Sequence, residues 1–283
     1  MIYISTGGER LPTAHQTSCK YIKHGFTNIE LSGGSYDQYA PSNLLNLAKN
    51  GINLQVHNYF PPPRYPFVLN LASMNEDIST LTFNHILKSL QLSTELGMPR
   101  YSFHAGFLLD PKPEELGRRI GNRVQFPRVD ALNLFIERVN KLASYAATIG
   151  ADLLIENNVL SHNNNITFPA NPFLMTSSEE CVFVMENTLK NVNLLIDVAH
   201  LKVSSQSEGF NPIDFLNTCR PWTKAYHLSD NNGKVDSNKP FSKNSWFWPH
   251  LLRNLDYYSL EVYNIDMLEM NNQYTLASSL LSR

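Results

Sequence analysis

Residues 191–200 read NVNLLIDVAH. Leu194, Leu195 and Ile196 make an apolar run of strand length between polar residues, the pattern of a parallel strand buried on both faces. Asp197 stands where such a strand ends, and His200 follows three residues later. A carboxylate at the end of a buried strand costs desolvation energy unless a cation or a donor meets it. Taken alone, Asp197 reads equally well as the cap of a following helix. The same arrangement recurs in both directions along the chain, and the recurrence favours a ligand.

Working outward, short β-like runs occupy residues 2–5, 28–31, 53–56, 101–103 and 152–155, then the run before Asp197, then 224–228 and 258–260. Between them lie stretches expected to be helical: 13–24, 41–50, 77–96, 129–149, 177–189, 212–219, 242–254 and 265–281. The second of these has Pro41 at its start and Gly51 just past its end. In the fourth, Leu132, Phe135, Ile136, Val139, Leu142 and Tyr145 recur at helical spacing. The segment NYFPPPRYPF after His57 is too rich in proline for a helix and reads as a loop. Residues 105–127 form a long loop carrying Arg118, Arg119 and Arg123, of a length that often marks a binding loop or lid. Strict alternation of strand and helix argues for a parallel sheet. Eight such units in 283 residues suit a closed (β/α)8 barrel, one α/β domain over residues 1–283. An open doubly wound sheet would carry a glycine-rich phosphate turn after its first strand, and STGGER matches that poorly.

Composition is that of an ordinary globular chain, 42% hydrophobic and 17% charged. A net charge of −2 argues against a large nonspecific nucleic-acid surface. Cys19, Cys181 and Cys219 are odd in number and show no CxxC pairing, so reduced thiols and a cytoplasmic setting are expected. No basic-then-apolar leader opens the chain, and no apolar stretch reaches membrane-spanning length. Nothing resembles an interdomain linker, and a homo-oligomer is compatible with the sequence.

In a barrel, the carboxyl ends of all eight strands meet around one axis. Here those ends carry Glu30, His57, His104, Glu156, Asp197, His227 and Glu261, with His200 one turn beyond Asp197. Ionisable groups so crowded would repel or desolvate one another without a counter-charge, which a divalent cation supplies. Mixed carboxylate and imidazole donors suit Mn²⁺, Zn²⁺, Fe²⁺ or Co²⁺ better than Ca²⁺. Each residue also has a plainer reading. His57 could be a hydrogen-bonded loop histidine, His104 a packing histidine, and Glu30 a partner for loop backbone near Gly33.

LLIENN, LLIDVAH, YHLSDNNGKVD and YSLEVYN resemble the signature strands of the xylose-isomerase-like TIM-barrel superfamily, which includes sugar isomerases and epimerases and endonuclease IV. The likeness spans nearly the whole chain. It implies that Glu156, Asp197, His227 and Glu261 hold one divalent ion, Mn²⁺ or Zn²⁺, and that His200 contacts substrate, as in ketose 3-epimerases. The endonuclease IV branch adds histidines matching His57 and His104, which implies a second ion. Its Asp-x-His after the seventh strand is here Asp236-Ser237-Asn238, so a third position built on His200 and Asp236 lacks one ligand.

The resemblance therefore implies a metal-dependent isomerase or epimerase of a small sugar, sugar phosphate or polyol. The metal would polarise a carbonyl and stabilise an enediolate, while Glu156 and Glu261 exchange the proton. His200, Asp236 and Trp246 would contact substrate, with Tyr59, Phe60, Phe107 and Trp248 as further apolar wall. Both tryptophans read equally well as helix-packing residues. The three arginines either meet an anionic group or form a solvated loop. The alternative is an endonuclease IV-like phosphodiesterase on abasic DNA. Near-neutral charge and a second-strand loop, LSGGSYDQYAP, without a basic residue weigh against nucleic acid as partner. A barrel that only binds a ligand would be expected to lack some of the four central ligands, and all four are present.

Overall fold

The computed structural model describes residues 1–9 and 12–282, so Arg10 of the STGGER turn lies outside the described residues. Its strands are β1 Ile2–Ser5, β2 Asn28–Leu31, β3 Asn53–His57, β4 Arg100–His104, β5 Asp152–Glu156, β6 Val192–Asp197, β7 Thr223–Leu228 and β8 Tyr257–Leu260. They pair in sequence order, all parallel, and close β1 against β8 with Ile2 opposite Tyr258. The chain is a (β/α)8 barrel.

Side-chain alternation divides each strand between two cores. Ile4, Val56, Leu153, Ile155, Leu194, Ile196 and Leu260 pack outward with helix residues such as Leu90, Phe135 and Leu142. The alternate residues Tyr3, Leu154, Leu195, Ala225 and Tyr257 form a small cluster inside the barrel. Two residues further along the inner face come Ser5, Glu156, Asp197, His227 and Ser259. Register pairs His104 with Glu156, Asp197 with His227, and His227 with Ser259. A period of two and parallel pairing thus carry side chains from distant positions to one rim.

Seven expected helices are present: α1 Ala14–Lys23, α2 Ala40–Lys49, α3 Glu76–Glu95, α4 Arg128–Thr148, α6 Ser178–Glu186, α8 Pro212–Cys219 and α9 Met267–Leu281. Thr13 and Gln16 form a reciprocal cap at the start of α1. Two further helices, α5 His162–Thr167 and α7 Val198–Glu208, escape the sequence reading. α7 buries residues on most of its circumference, so no single apolar stripe announces it. It stops at Gly209, whose φ of 78° is easily adopted only without a side chain.

The helix expected over 242–254 does not form. Only a 3₁₀ turn, Trp248–His250, is found there. Pro249 falls in the middle of the expected helix, where it removes a backbone donor and clashes with the preceding turn. The aromatic residues instead form a local cluster: Phe241 packs edge-on against Phe247 and Trp248, and Trp248 Nε1 donates to the Ser242 carbonyl at 2.8 Å. β7 is therefore followed by a loop. Among the described residues, no helix is long and apolar enough to cross a membrane.

Candidate metal centre

Both readings of Asp197 are realised, one on each oxygen. Oδ1 caps α7, accepting from the amides of Ala199 at 2.7 Å and His200 at 2.8 Å. Oδ2 is buried without a hydrogen-bond partner. Asn157 fixes the surroundings: its side chain accepts from Asp197 N at 2.8 Å and donates to Asp197 O at 3.2 Å. The Asn157 carbonyl lies 3.1 Å from His200 Nδ1 and can only accept, so that nitrogen carries hydrogen. His200 Nε2 then faces Asp236 Oδ2 at 3.3 Å.

Glu156 sits at the middle of the rim. Its Oε2 is 3.4 Å from His57 Nε2 and 3.5 Å from His104 Nε2. Its Oε1 is 3.3 Å from His227 Nδ1 and 3.4 Å from His200 Nδ1. Both oxygens and His227 Nδ1 are buried without a hydrogen-bond partner. His227 Nδ1 also lies 3.6 Å from Glu261 Oε2 and 3.9 Å from Asp197 Oδ2. Asp197, His227 and Glu261 each offer an atom within 4.8 Å of the other two, as do His57, His104 and Glu156. Glu156 links the two sets through its separate oxygens. Among the described residues, no such cluster includes Asp236.

A chain of donors settles which nitrogens are bare. The Tyr257 hydroxyl donates to Glu30 Oε2, and Glu30 Oε2 is also 2.9 Å from His227 Nε2. Tyr257 has spent its one hydrogen, so Ser102, 3.3 Å away, donates to the phenol oxygen. Ser102 in turn accepts from His57 Nδ1 at 2.9 Å. His57 Nε2 is then a lone pair confronting a carboxylate oxygen at 3.4 Å. Two electron-rich atoms held face to face, beside further buried acceptors without donors, fit a cation between them. The donor set of carboxylate oxygen and imidazole nitrogen fits a divalent transition ion.

The electrostatics agree. Burial pushes His57 down to about 4 and lowers His104 as well. Burial raises Glu261 to about 8, with Glu30, Glu156 and Asp197 adding repulsion, and raises Asp197 to about 6. Burial acts on Glu156 in the same sense, but His104 and His227 hold it well below the usual carboxylate range. Against burial, Glu30, Glu261 and Glu156 lift His227 far above an ordinary histidine, and Asp197 and Asp236 do the same for His200. The acid-rich side of the ring thus draws protons onto His200, His227 and Glu261, charge that a divalent ion would supply in one place.

A cleft of about 360 Å³ adjoins the rim, lined by His104, His200 and Asp236 together with Tyr59, Phe67, Phe107 and Phe173. Its size and mainly apolar wall suit a small molecule. Asn158 and Asn70 brace that wall. Asn158 donates to the carbonyls of Ala105, Gly106 and Leu174, and Asn70 to those of Phe107 and Leu109. A Cβ on Gly106 would come within 2.6 Å of Ala72 Cβ, so only glycine allows this approach.

Three expected wall residues lie elsewhere. Phe60 is fully buried in the main core, and Trp248 is nearly so. Trp246 lines a separate groove with Lys202, Phe210 and Ile213, because the loop after β7 carries it away from the rim. Among the described residues the Glu30 carboxylate bonds no loop backbone; it binds His227 and Tyr257. Tyr257, Ser102 and Asn157 escaped the sequence reading as site residues. The signal was the period of two, which puts Ser102 in line with His104, and Tyr257 in line with Ser259 on the inner face.

Residues 20–269 match the family described as xylose isomerase-like TIM barrel. No curated protein matches the sequence. Among solved structures, a D-tagatose 3-epimerase-like protein is 18% identical with a TM-score of 0.74, over 99% of this chain and 97% of that one. A protein from Thermus thermophilus, solved after soaking with ZnCl2, is 22% identical with a TM-score of 0.65, over 98% of both chains. A D-psicose 3-epimerase in the presence of D-fructose is 16% identical with a TM-score of 0.68, over 100% of this chain and 99% of that one. At such identities the likeness shows the fold. With the family match covering most of the barrel, the chain belongs to the xylose isomerase-like TIM-barrel family.

Proposed function

We propose that the protein is a metal-dependent isomerase or epimerase of a small sugar or polyol derivative. The observation that carries this reading is the convergence of Glu156, Asp197, His227 and Glu261 with buried acceptors left free, beside a cleft of small-molecule size. The structural relatives described as sugar 3-epimerases support it. A divalent ion, Mn²⁺ or Zn²⁺, would polarise a substrate carbonyl and acidify the neighbouring C–H. Glu156 and Glu261 flank His227 Nδ1 at 3.3 and 3.6 Å. Glu156, held ionised, suits the base, and Glu261, raised to about 8, suits the acid near neutral pH. His200, donating through Nδ1 to the Asn157 carbonyl, keeps Nε2 with Asp236 at the cleft to bind a substrate oxygen.

Solvent exchange tests this. With Mn²⁺-loaded protein in D2O, a C–H next to the carbonyl of some ketose should exchange, and Glu261→Gln should abolish the exchange. No exchange across a ketose panel would reject the reading.

A second reading has one specific observation in its favour. His57 and His104 both aim Nε2 at Glu156 Oε2, which makes a second cluster sharing a carboxylate with the first. Paired ions of that kind suit hydrolysis of a phosphodiester. Incision of an abasic duplex, without exchange on any sugar, would establish this reading instead.

A further inference from the structure

The cleft beside the rim is also lined by residues 115–120 of the long loop after β4, Arg118 and Arg119 among them. This loop is built, not merely draped. Ile120 is buried in a satellite core with Val68, Phe107, Leu109, Leu160, Phe168 and Phe173. Asn164 grips the backbone on both sides, accepting from Ile120 N at 2.9 Å and donating to Arg118 O at 3.2 Å. Arg119 Nε donates to Thr167 Oγ1 at 2.9 Å, which leaves its terminal nitrogens unspent.

The three arginines of the loop are not equivalent. Arg123 is ion-paired with Glu115 and donates to the Asp110 carbonyl at 2.9 Å. Glu115 is further occupied by the Gly121 amide at 2.9 Å. The one acid on this stretch of cleft is thereby neutralised within the loop. Among the described residues, neither Arg118 nor Arg119 forms an ion pair within 4.0 Å. Two cations adjacent in sequence, both exposed and neither ion-paired, therefore line the cleft that holds His104, His200 and Asp236, along a wall of Tyr59, Phe67 and Phe107. Guanidinium groups next to apolar surface bind oxyanions with geometric selectivity through their planar forks of donors.

We propose that Arg118 and Arg119 form an oxyanion subsite of this cleft, so that the substrate carries a phosphate or carboxylate besides the oxygens presented to the rim. The proposal deepens the isomerase reading and rests on it for the sugar portion of the substrate. The subsite itself is a property of the loop and can be tested apart from any sugar.

The test uses the full-length protein treated with chelator, titrated with phenyl phosphate, benzoate and phenol. Phenyl phosphate should bind at least about tenfold more tightly than phenol. Benzoate, with one charge, should fall between them; benzoate binding more tightly than phenyl phosphate would assign the subsite to carboxylates. The double substitution Arg118→Ala and Arg119→Ala should abolish the preference for anions, while Arg118→Lys with Arg119→Lys should keep part of it. The alanine pair touches none of the rim ligands and should bind Mn²⁺ as the wild type does. Equal binding of phenyl phosphate and phenol, or an anion preference that survives the alanine pair, would overturn the subsite. A second arm compares a pentulose 5-phosphate with the neutral pentulose on Mn²⁺-loaded protein. If phenyl phosphate binds as expected and neither these sugars nor any other ketose of the panel exchanges, the isomerase reading falls and the subsite stands. If the neutral sugar exchanges and phenyl phosphate shows no preference, the reverse holds.

Discussion

The two halves of the barrel rim present similar residues and use them differently. From β5 to β8, Glu156, Asp197 and His227 leave buried atoms free of hydrogen bonds, and Glu261 joins them from just past β8. From β2 to β4, Glu30 spends Oε2 on His227 and Tyr257 and keeps only Oε1 free, and His57 spends one nitrogen on Ser102. A strand-end position therefore does not define a role. What defines it is which atom remains after neighbouring donors have been served. By that rule the later half would supply most of an ion's ligands, and the earlier half would orient them and add His57 and His104 on the far side of Glu156.

Glu156 is where this division can be broken most severely, since it faces both halves. Glu156→Gln removes the shared carboxylate and places an amide donor toward imidazole nitrogens. Metal binding should vanish, and sugar turnover should fall at least about 10³-fold, the scale on which removing one key electrostatic group acts. Equilibrium dialysis with Mn²⁺ or Zn²⁺ checks the first effect, and solvent exchange the second. A variant that still binds one full equivalent would mean that the two clusters do not depend on a common carboxylate.

A contrast with His85 sharpens the same point. His85 is buried like His57, and burial lowers it to about 4, opposed by the Asn58 backbone and helped a little by Lys88. It stacks on Tyr59 with ring centroids 5.5 Å apart, and its Nε2 has no hydrogen-bond partner. No carboxylate lies within 4.0 Å to make an ion pair among the described residues. With the folded value below the unfolded one, its contribution to stability is complete above pH 6.5 and is lost as pH falls toward about 4. That loss is about 3 kcal/mol. Urea midpoints at pH 7 and 4.5, in chelator, should converge between wild type and His85→Gln as the solution is acidified. A constant gap would show that His85 takes up its proton as readily folded as unfolded.

How far the sequence reveals this molecule follows from the range of the forces involved. Strands and the rim are read from local rules: an apolar run, its end, and a period of two place Glu156, Asp197 and His227 without knowledge of their neighbours. α7 is hidden because a helix buried on most sides has no polar face to set its period. The missing helix at 242–254 is the opposite case, where strand–helix alternation asks for a helix and Pro249 forbids it. Glu30 reads from the sequence as a candidate partner for loop backbone, and its actual partners, His227 and Tyr257, are 197 and 227 residues away. No local pattern encodes such a pairing; only barrel closure creates it. Trp246 was misjudged for the same reason, since the course of a loop is set by distant contacts.

Glu30→Gln replaces a carboxylate that binds His227 through Oε2 and keeps Oε1 without a partner, and leaves the free atoms of Glu156, Asp197 and His227 in place. The amide still meets His227 but loses the charge that fixes the imidazole and raises its basicity. Metal affinity should fall about 10- to 100-fold, as is usual for partners standing behind a ligand. Competition against a chelator of known affinity measures this. An unchanged affinity would place Glu30 outside the metal site altogether.

The smallest effect asks whether the halves communicate. Tyr257 touches both: it donates to Glu30, and its oxygen accepts from Ser102, which holds His57. Tyr257→Phe removes an acceptor for Ser102, worth about 0.5–1.5 kcal/mol, and a donor to the Glu30 carboxylate, worth about 1.5–3 kcal/mol. Glu30 then turns to His227 alone, and the freed Ser102 hydroxyl can donate to His57 Nδ1, shifting the imidazole hydrogen to Nε2. That shift blocks the atom facing Glu156 Oε2, so the loss should be felt most at the His57–His104 position and only about 2- to 10-fold at His227. Two-step metal titration of the variant would separate the two losses. If the first-half position binds as before, the hydroxyl chain does not set the His57 tautomer, and the two halves of the rim act independently.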